Sequence, residues 1–260
     1  MGKVKKNGRV HWIRRSACLA GCFFFMSCYC LAMSSAEAVQ TLLNSQNAVG
    51  AKTYAEAWRI VEREAKEGKA LQRFVIGLKT DDKELSKKYL AASRERIRAL
   101  AEKKDNPLAW YLLSMENNDF VMLRKAVEGG NVQALNALGA ILTQQALSGG
   151  CHSSNGVERI LRQSYELFRK AAAQCDPNGF INLGTCYLRG YGCERDVGMA
   201  FACFKAAADA GHPEGMDNVS ACYQFGHGVA KDAELSLLWA MRGRAARGDE
   251  AAMQWLRRRK

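Results

Sequence analysis

An all-α fold is what this sequence predicts, on three observations. Ala, Leu, Glu, Lys and Arg dominate its 260 residues, and only three prolines interrupt them, Pro107, Pro177 and Pro213, a balance that favours helices over strands. Apolar residues recur at helical spacing, as Ala200, Phe204 and Ala207 do at i, i+4 and i+7. The third observation is a repeat. Residues 179 onward match residues 215 onward at a constant offset of 36: Gly179 with Gly215, Asn182 with Asn218, Cys186 with Cys222, Tyr187 with Tyr223, Gly190 with Gly226, Gly192 with Gly228 and Asp196 with Asp232. A period of that length holding two helices marks a solenoid, in which no unit buries its apolar face alone and stacking supplies the core.

In chain order, residues 1–38 have the parts of a secretory signal: a basic stretch to Arg15, an apolar stretch from Ser16 to Met33, and the small-x-small site Ala36-Glu37-Ala38. Cleavage after Ala38 is the first expectation, giving an exported protein, periplasmic or secreted, that starts at Val39. An uncleaved membrane anchor is the second, because a spanning helix needs about 17 to 25 residues. A third follows from Leu19-Ala20-Gly21-Cys22, which looks like a bacterial lipobox and would make Cys22 a lipidated first residue. Against it, Phe23-Phe24-Phe25-Met26 follows Cys22 where a polar tether belongs.

The net charge of +12 raises the question of nucleic acid. Lys3, Lys5, Lys6, Arg9, Arg14 and Arg15 lie ahead of residue 39 and are opposed only by Glu37, which leaves +7 beyond it. No run of Lys or Arg alternates with aromatics there, and Arg257, Arg258, Arg259 and Lys260 read as a solvated helix end, so no nucleic-acid partner is expected.

Residues 39–104 read as degenerate helical repeats, with Trp58, Val61 and Ala65, then Ala70, Phe74 and Gly77, as a first unit and Lys83 to Lys104 as a charged amphipathic helix. Residues 105–260 carry the solenoid proper. The 36-residue offset also matches Phe168, Ala171, Ala172 and Pro177 with Phe204, Ala207, Ala208 and Pro213. One unit earlier the offset is 45, pairing Leu138-Gly139 with Leu183-Gly184. The nine extra residues are expected in a Gly/Ser-rich loop near 148–156, where length is tolerated.

The recurring residues have mechanical reasons for their places. Gly184, within a helix, lets its neighbour approach closely, against a propensity cost of about 1 kcal/mol. Leu183 and Tyr187 share one apolar stripe. Gly190 and Gly192, like Gly226 and Gly228, end the first helix, and Asp196 and Asp232 cap the second. The pattern Leu183-Gly184-x-x-Tyr187-x-x-Gly190-x-Gly192-x-x-x-Asp196-x-x-x-Ala200 resembles the Sel-one-like repeat (SLR), a relative of the tetratricopeptide repeat. The copy from Val219 to Asp232 repeats it around Tyr223, with Ser220 for the in-helix glycine and Ser236 for the alanine. The resemblance implies a right-handed α-solenoid of stacked antiparallel helix pairs that binds proteins or peptides, with no shared reaction and no cofactor. It also implies an alternative, since some cysteine-rich members are associated with β-lactam binding or hydrolysis.

Six cysteines lie beyond the leader: Cys151, Cys175, Cys186, Cys193, Cys203 and Cys222. With no CxxC pair among them a metal site is not expected, and in an oxidising compartment an even set is expected to pair, with fifteen connectivities open. Cys203, on a second helix between the first helices of Cys186 and Cys222, is expected to reach one or the other. No catalytic group is expected either. His212 and His227 sit in turns, and His152 beside Cys151 lies in the insertion, a poor place to hold geometry. The binding reading needs a concave stripe on the first helices. Asn182, Thr185 and Arg189 share a face at i, i+3 and i+7, and Asn218, Ala221 and Phe225 are their counterparts. The asparagines either hydrogen-bond an extended peptide, with Phe225 as an apolar anchor, or bond between adjacent repeats.

Overall fold

Among the described residues of the computed structural model, which are 38, 39, 42, 43, 51–67, 69–148 and 154–259, helix follows helix and no strand occurs. Their order is α1 (Ala51–Lys66), α2 (Ala70–Lys79), α3 (Lys83–Lys104), α4 (Pro107–Asn117), α5 (Phe120–Glu128), α6 (Val132–Leu147), α7 (Ser154–Ala172), α8 (Pro177–Arg189), α9 (Val197–Asp209), α10 (Pro213–Phe225), α11 (Ala233–Ala246) and α12 (Glu250–Arg257). The leader up to Glu37 lies outside the described residues, and no described helix is long and apolar enough to cross a membrane.

Short polar residues start these helices. Asn131 and Asp176 accept bonds from the amides of Ala134 and Gly179, each at 2.8 Å, and Asp196 and Asp232 accept from Met199 and Leu235, each at 2.9 Å. All three prolines open a helix, where a missing N–H costs nothing. Gly190 and Gly226 close α8 and α10 in the left-handed region, at φ 73° and 77°.

Consecutive helices pair as α2/α3, α4/α5, α6/α7, α8/α9 and α10/α11, and successive pairs stack. The first helices α6, α8 and α10 approach one another more closely than the second helices α7, α9 and α11 do, which puts the first helices on the inner side of the stack. An N-terminal core holds Ala38, Val39, Leu42, Phe74, Ile97, Leu112 and Leu138. Two smaller cores follow, around Phe168, Leu183, Cys186 and Cys203 and around Phe204, Val219, Cys222 and Trp239, with Tyr187 touching both.

One contact recurs inside the pairs. A Cβ on Gly139 would stand 2.5 Å from the Phe168 ring, and one on Gly184 would stand 2.7 Å from Phe204, so each glycine is the socket for a phenylalanine of the partner helix. In α10/α11 the phenylalanine position is Ala240, and the socket is filled by Ser220, whose hydroxyl donates to the Ser236 carbonyl at 2.7 Å. Both departures from the repeat pattern thus belong to one exchange of an aromatic contact for a hydrogen bond. Gly192 and Gly228 do more than end a helix. At φ 71° and 73° they press against the main chain at Leu161 and Val197, where a Cβ would meet the carbonyl oxygens at 2.3 and 2.1 Å. Each turn from a first to a second helix is thereby seated on the second helix of the preceding pair.

Three expectations need correction. Ser154 to Gly156 are helical rather than loop: α6 runs past Gln144, the counterpart of Arg189, to Leu147, and α7 starts well before Leu161, the counterpart of Val197. The extra residues therefore lengthen the helix pair, because added turns bury side chains such as Ala146 that added loop would not. In the N-terminal part α2 packs more extensively on α3 than on α1, with Gly77 facing Leu90. The third correction concerns cysteine: Cys186, Cys193, Cys203 and Cys222 are free thiols, so no bridge joins Cys203 to either neighbour. Cys186, Cys203 and Cys222 are buried as small apolar side chains, and burial pushes Cys186 up to about 12 and the other two to about 11, suppressing the thiolate that disulfide exchange requires. Cys175 is disulfide-bonded, and its partner is not among the described residues; Cys151 and His152 lie outside them.

Candidate functional site

The inner face is built from helices that are nearly free of charge in a chain of which 25% is charged. No Asp, Glu, Lys or Arg occurs in α6, Arg189 is the one in α8, and α10 has Glu214 and Asp217. The second helix α7, by contrast, carries Glu158, Arg159, Arg162, Glu166, Arg169 and Lys170. Between α6 and α8 opens a cleft of about 510 Å³, lined by Thr143, Gln144, Leu147, Phe168, Asn182 and Thr185 among others. Its lining offers hydroxyl and amide groups over an apolar floor.

Asn182 and Asn218 are distinguished by their neighbours. Asn182 donates its amide to Asn136 at 3.3 Å, and Asn136 in turn donates to the Asp176 carboxylate at 2.8 Å. That chain joins the inner face of one repeat to the cap of the next, so Asn182 bonds between repeats. One unit on, the counterparts of Asn136 and Asp176 are Ile181 and His212. Ile181 can neither accept nor donate, and Asn218 has no side-chain hydrogen bond among the described residues. His212 is only 5% exposed, and neither of its ring nitrogens has a partner among the described residues.

Of the other residues of the stripe, Thr185 is exposed and donates back to the Ile181 carbonyl at 3.0 Å. Arg189 is exposed at the C-terminal end of α8 and makes no ion pair among the described residues. Phe225, its counterpart on α10, is 56% exposed, with the His227 ring 5.8 Å from its own. Ile141 and Leu147 are further large apolar side chains left in solvent on α6. His212, read from the sequence as a turn residue, is the N-cap of α10 and the most perturbed histidine, held down to about 4 by burial and by Arg247, against the opposing pull of Asp217. Sequence reasoning missed its burial; the signal lay in its alignment with the capping Asp176. Among the described residues, the first helices present hydrogen-bonding groups, one cation without an ion pair and exposed apolar side chains. Among the described residues no cluster could hold a metal ion.

A model of the Sel1 repeat matches residues 133–174, 181–212 and 213–240. Among solved structures, a Sel1 repeat protein from Oxalobacter formigenes is 24% identical, with 49% of this chain and 90% of that chain covered and a TM-score of 0.41. A protective antigen present in uropathogenic Escherichia coli strains, displaying an SLR fold, is 20% identical with a TM-score of 0.48; the match covers 77% of this chain and 45% of that one. No curated protein matches the chain. The Sel1 repeat model thus matches three segments of the α-solenoid that holds the inner face, from α6 into α11.

Proposed function

We propose that the chain is an exported scaffold that binds an extended segment of a partner protein across α6, α8 and α10 and catalyses no reaction of its own. The observation that carries this reading is the inner face nearly free of charge, with its open cleft and the solvent-exposed Ile141, Leu147 and Phe225. Soluble proteins seldom leave such groups in solvent along one face without a use for them, and hydroxyl and amide groups around apolar anchors suit a peptide main chain. A photo-crosslinking side chain at Thr185, in cells that make the protein, is expected to trap a polypeptide that the same group at Lys170 on α7 does not. Equal trapping at both positions, or none at Thr185, overturns the reading. Purified chain is expected not to turn over a chromogenic β-lactam. Export is tested by sequencing the N-terminus of the native protein, expected at Val39, with Val39, Leu42 and Leu43 kept as part of the core.

A further inference from the structure

Resting on that reading, we infer that the step between α8 and α10 selects the partner, taking an extended peptide that carries an acidic side chain near a large apolar one. Three observations converge there. Asn218 has an amide with no partner among the described residues, because Ile181 stands where Asn136 serves Asn182 one repeat earlier. Arg189 is the only cation on the three first helices and has no counter-ion among the described residues, whereas Asp217 is engaged by Arg247. Phe225 occupies the same position as Arg189 one repeat on and leaves its ring largely in solvent.

Asn218 and Phe225 are seven residues apart on one helix and so lie on one face, about 10 Å along it. Arg189 and Phe225 stand on neighbouring helices, about 8 to 10 Å apart. An extended chain advances about 3.3 Å per residue, so a carboxylate on Arg189 and an apolar side chain on Phe225 come from positions two to four residues apart, and main chain about three residues beyond the apolar one reaches Asn218. Charge argues against the chain's own leader as occupant. Its Lys3, Lys5, Lys6, Arg9, Arg14 and Arg15 would be set against Arg189, while a carboxylate meets a guanidinium that no other described residue neutralises.

The test uses the full chain, immobilised, and a phage-displayed library of random dodecapeptides. Enriched sequences are expected to hold Asp or Glu two to four residues from an aromatic or large aliphatic residue. A synthetic peptide of the enriched sequence is expected to bind at least tenfold more weakly to Arg189→Ala, Asn218→Ala and Phe225→Ala, and unchanged to Lys170→Ala. Arg189→Glu is expected to reverse the preference, favouring the peptide with Lys in place of its acid. All four positions are surface sites, and a wild-type circular dichroism spectrum shows that each variant folds. Enriched peptides that ignore Arg189, Asn218 and Phe225 overturn this subsite while leaving the inner face as a peptide site. An enriched peptide of basic character, or self-association of the chain that Phe225→Ala abolishes, also overturns it. No enrichment, together with no crosslink at Thr185, overturns both readings.

Discussion

His212 shows how one residue changes what a repeat can do. Where Asp176 caps α8 and holds Asn136, His212 caps nothing and is buried with both nitrogens unpaired at the positive end of α10. Its folded pKa of about 4 lies below the free value of 6.5, so its stability contribution is complete above pH 6.5 and is lost as pH falls toward 4. The groups that face it are Arg247, at the C-terminal end of α11, which opposes the imidazolium, and Asp217 on α10, which favours it. The wild-type melting temperature is therefore expected to drop over that window more steeply than that of His212→Asp. The aspartate should also gain about 1 kcal/mol at pH 7 by capping Gly215 as Asp176 caps Gly179. Parallel pH curves for the two proteins would remove His212 from the account. The thiols make a second residue-scale prediction. Cys193, half-buried in the turn, is expected to alkylate in the native protein, and Cys186, Cys203 and Cys222 only on unfolding, all without a reductant. Mass mapping reads the order directly.

Between elements, the glycine socket decides how tightly a pair closes. Gly184→Ala sets a methyl against the Phe204 ring and the Ala200 carbonyl and is expected to cost about 1 to 3 kcal/mol, read from denaturant midpoints. The α10/α11 pair gives the converse experiment, since it already has Ser220 and Ala240 in those places. Ser220→Gly alone loses the bond to Ser236 and leaves a gap, and Ala240→Phe alone crowds the serine. The double variant Ser220→Gly, Ala240→Phe is expected to be more stable than the two single costs predict, by at least 1 kcal/mol of coupling. Strict additivity would mean that the two positions do not meet.

For the whole stack, stability comes from interfaces between neighbouring units, since each core is shared across a pair and its successor. Gly192 is such a seam, because its φ of 71° and its contact with the Leu161 carbonyl leave no room for a side chain. Gly192→Ala is expected to loosen the α6/α7 pair from the α8/α9 pair and to broaden the melt or split it in two. A single transition of unchanged width would show that the seam is not what couples them.

By itself the sequence determined the helical class, the period and the helix ends outside the α6/α7 junction, because those depend on local chemistry: proline at first positions, Asn and Asp at caps, glycine where φ is positive. It also pointed to the first helices as a face, since Asn182, Thr185 and Arg189 fall on one side of any helix with 3.6 residues per turn. What those side chains meet was beyond it. Asn182 and Asn218 are identical in the repeat, and only the stacking of α6 on α8 and of α8 on α10 set the first against Asn136 and the second against Ile181. Cysteine behaved the same way: an even count suggested bridges, but a bridge needs thiolate character, and burial in the core withholds it from Cys186, Cys203 and Cys222. Spacing along one helix is local, whereas the identity of a neighbour across a repeat interface is decided by packing.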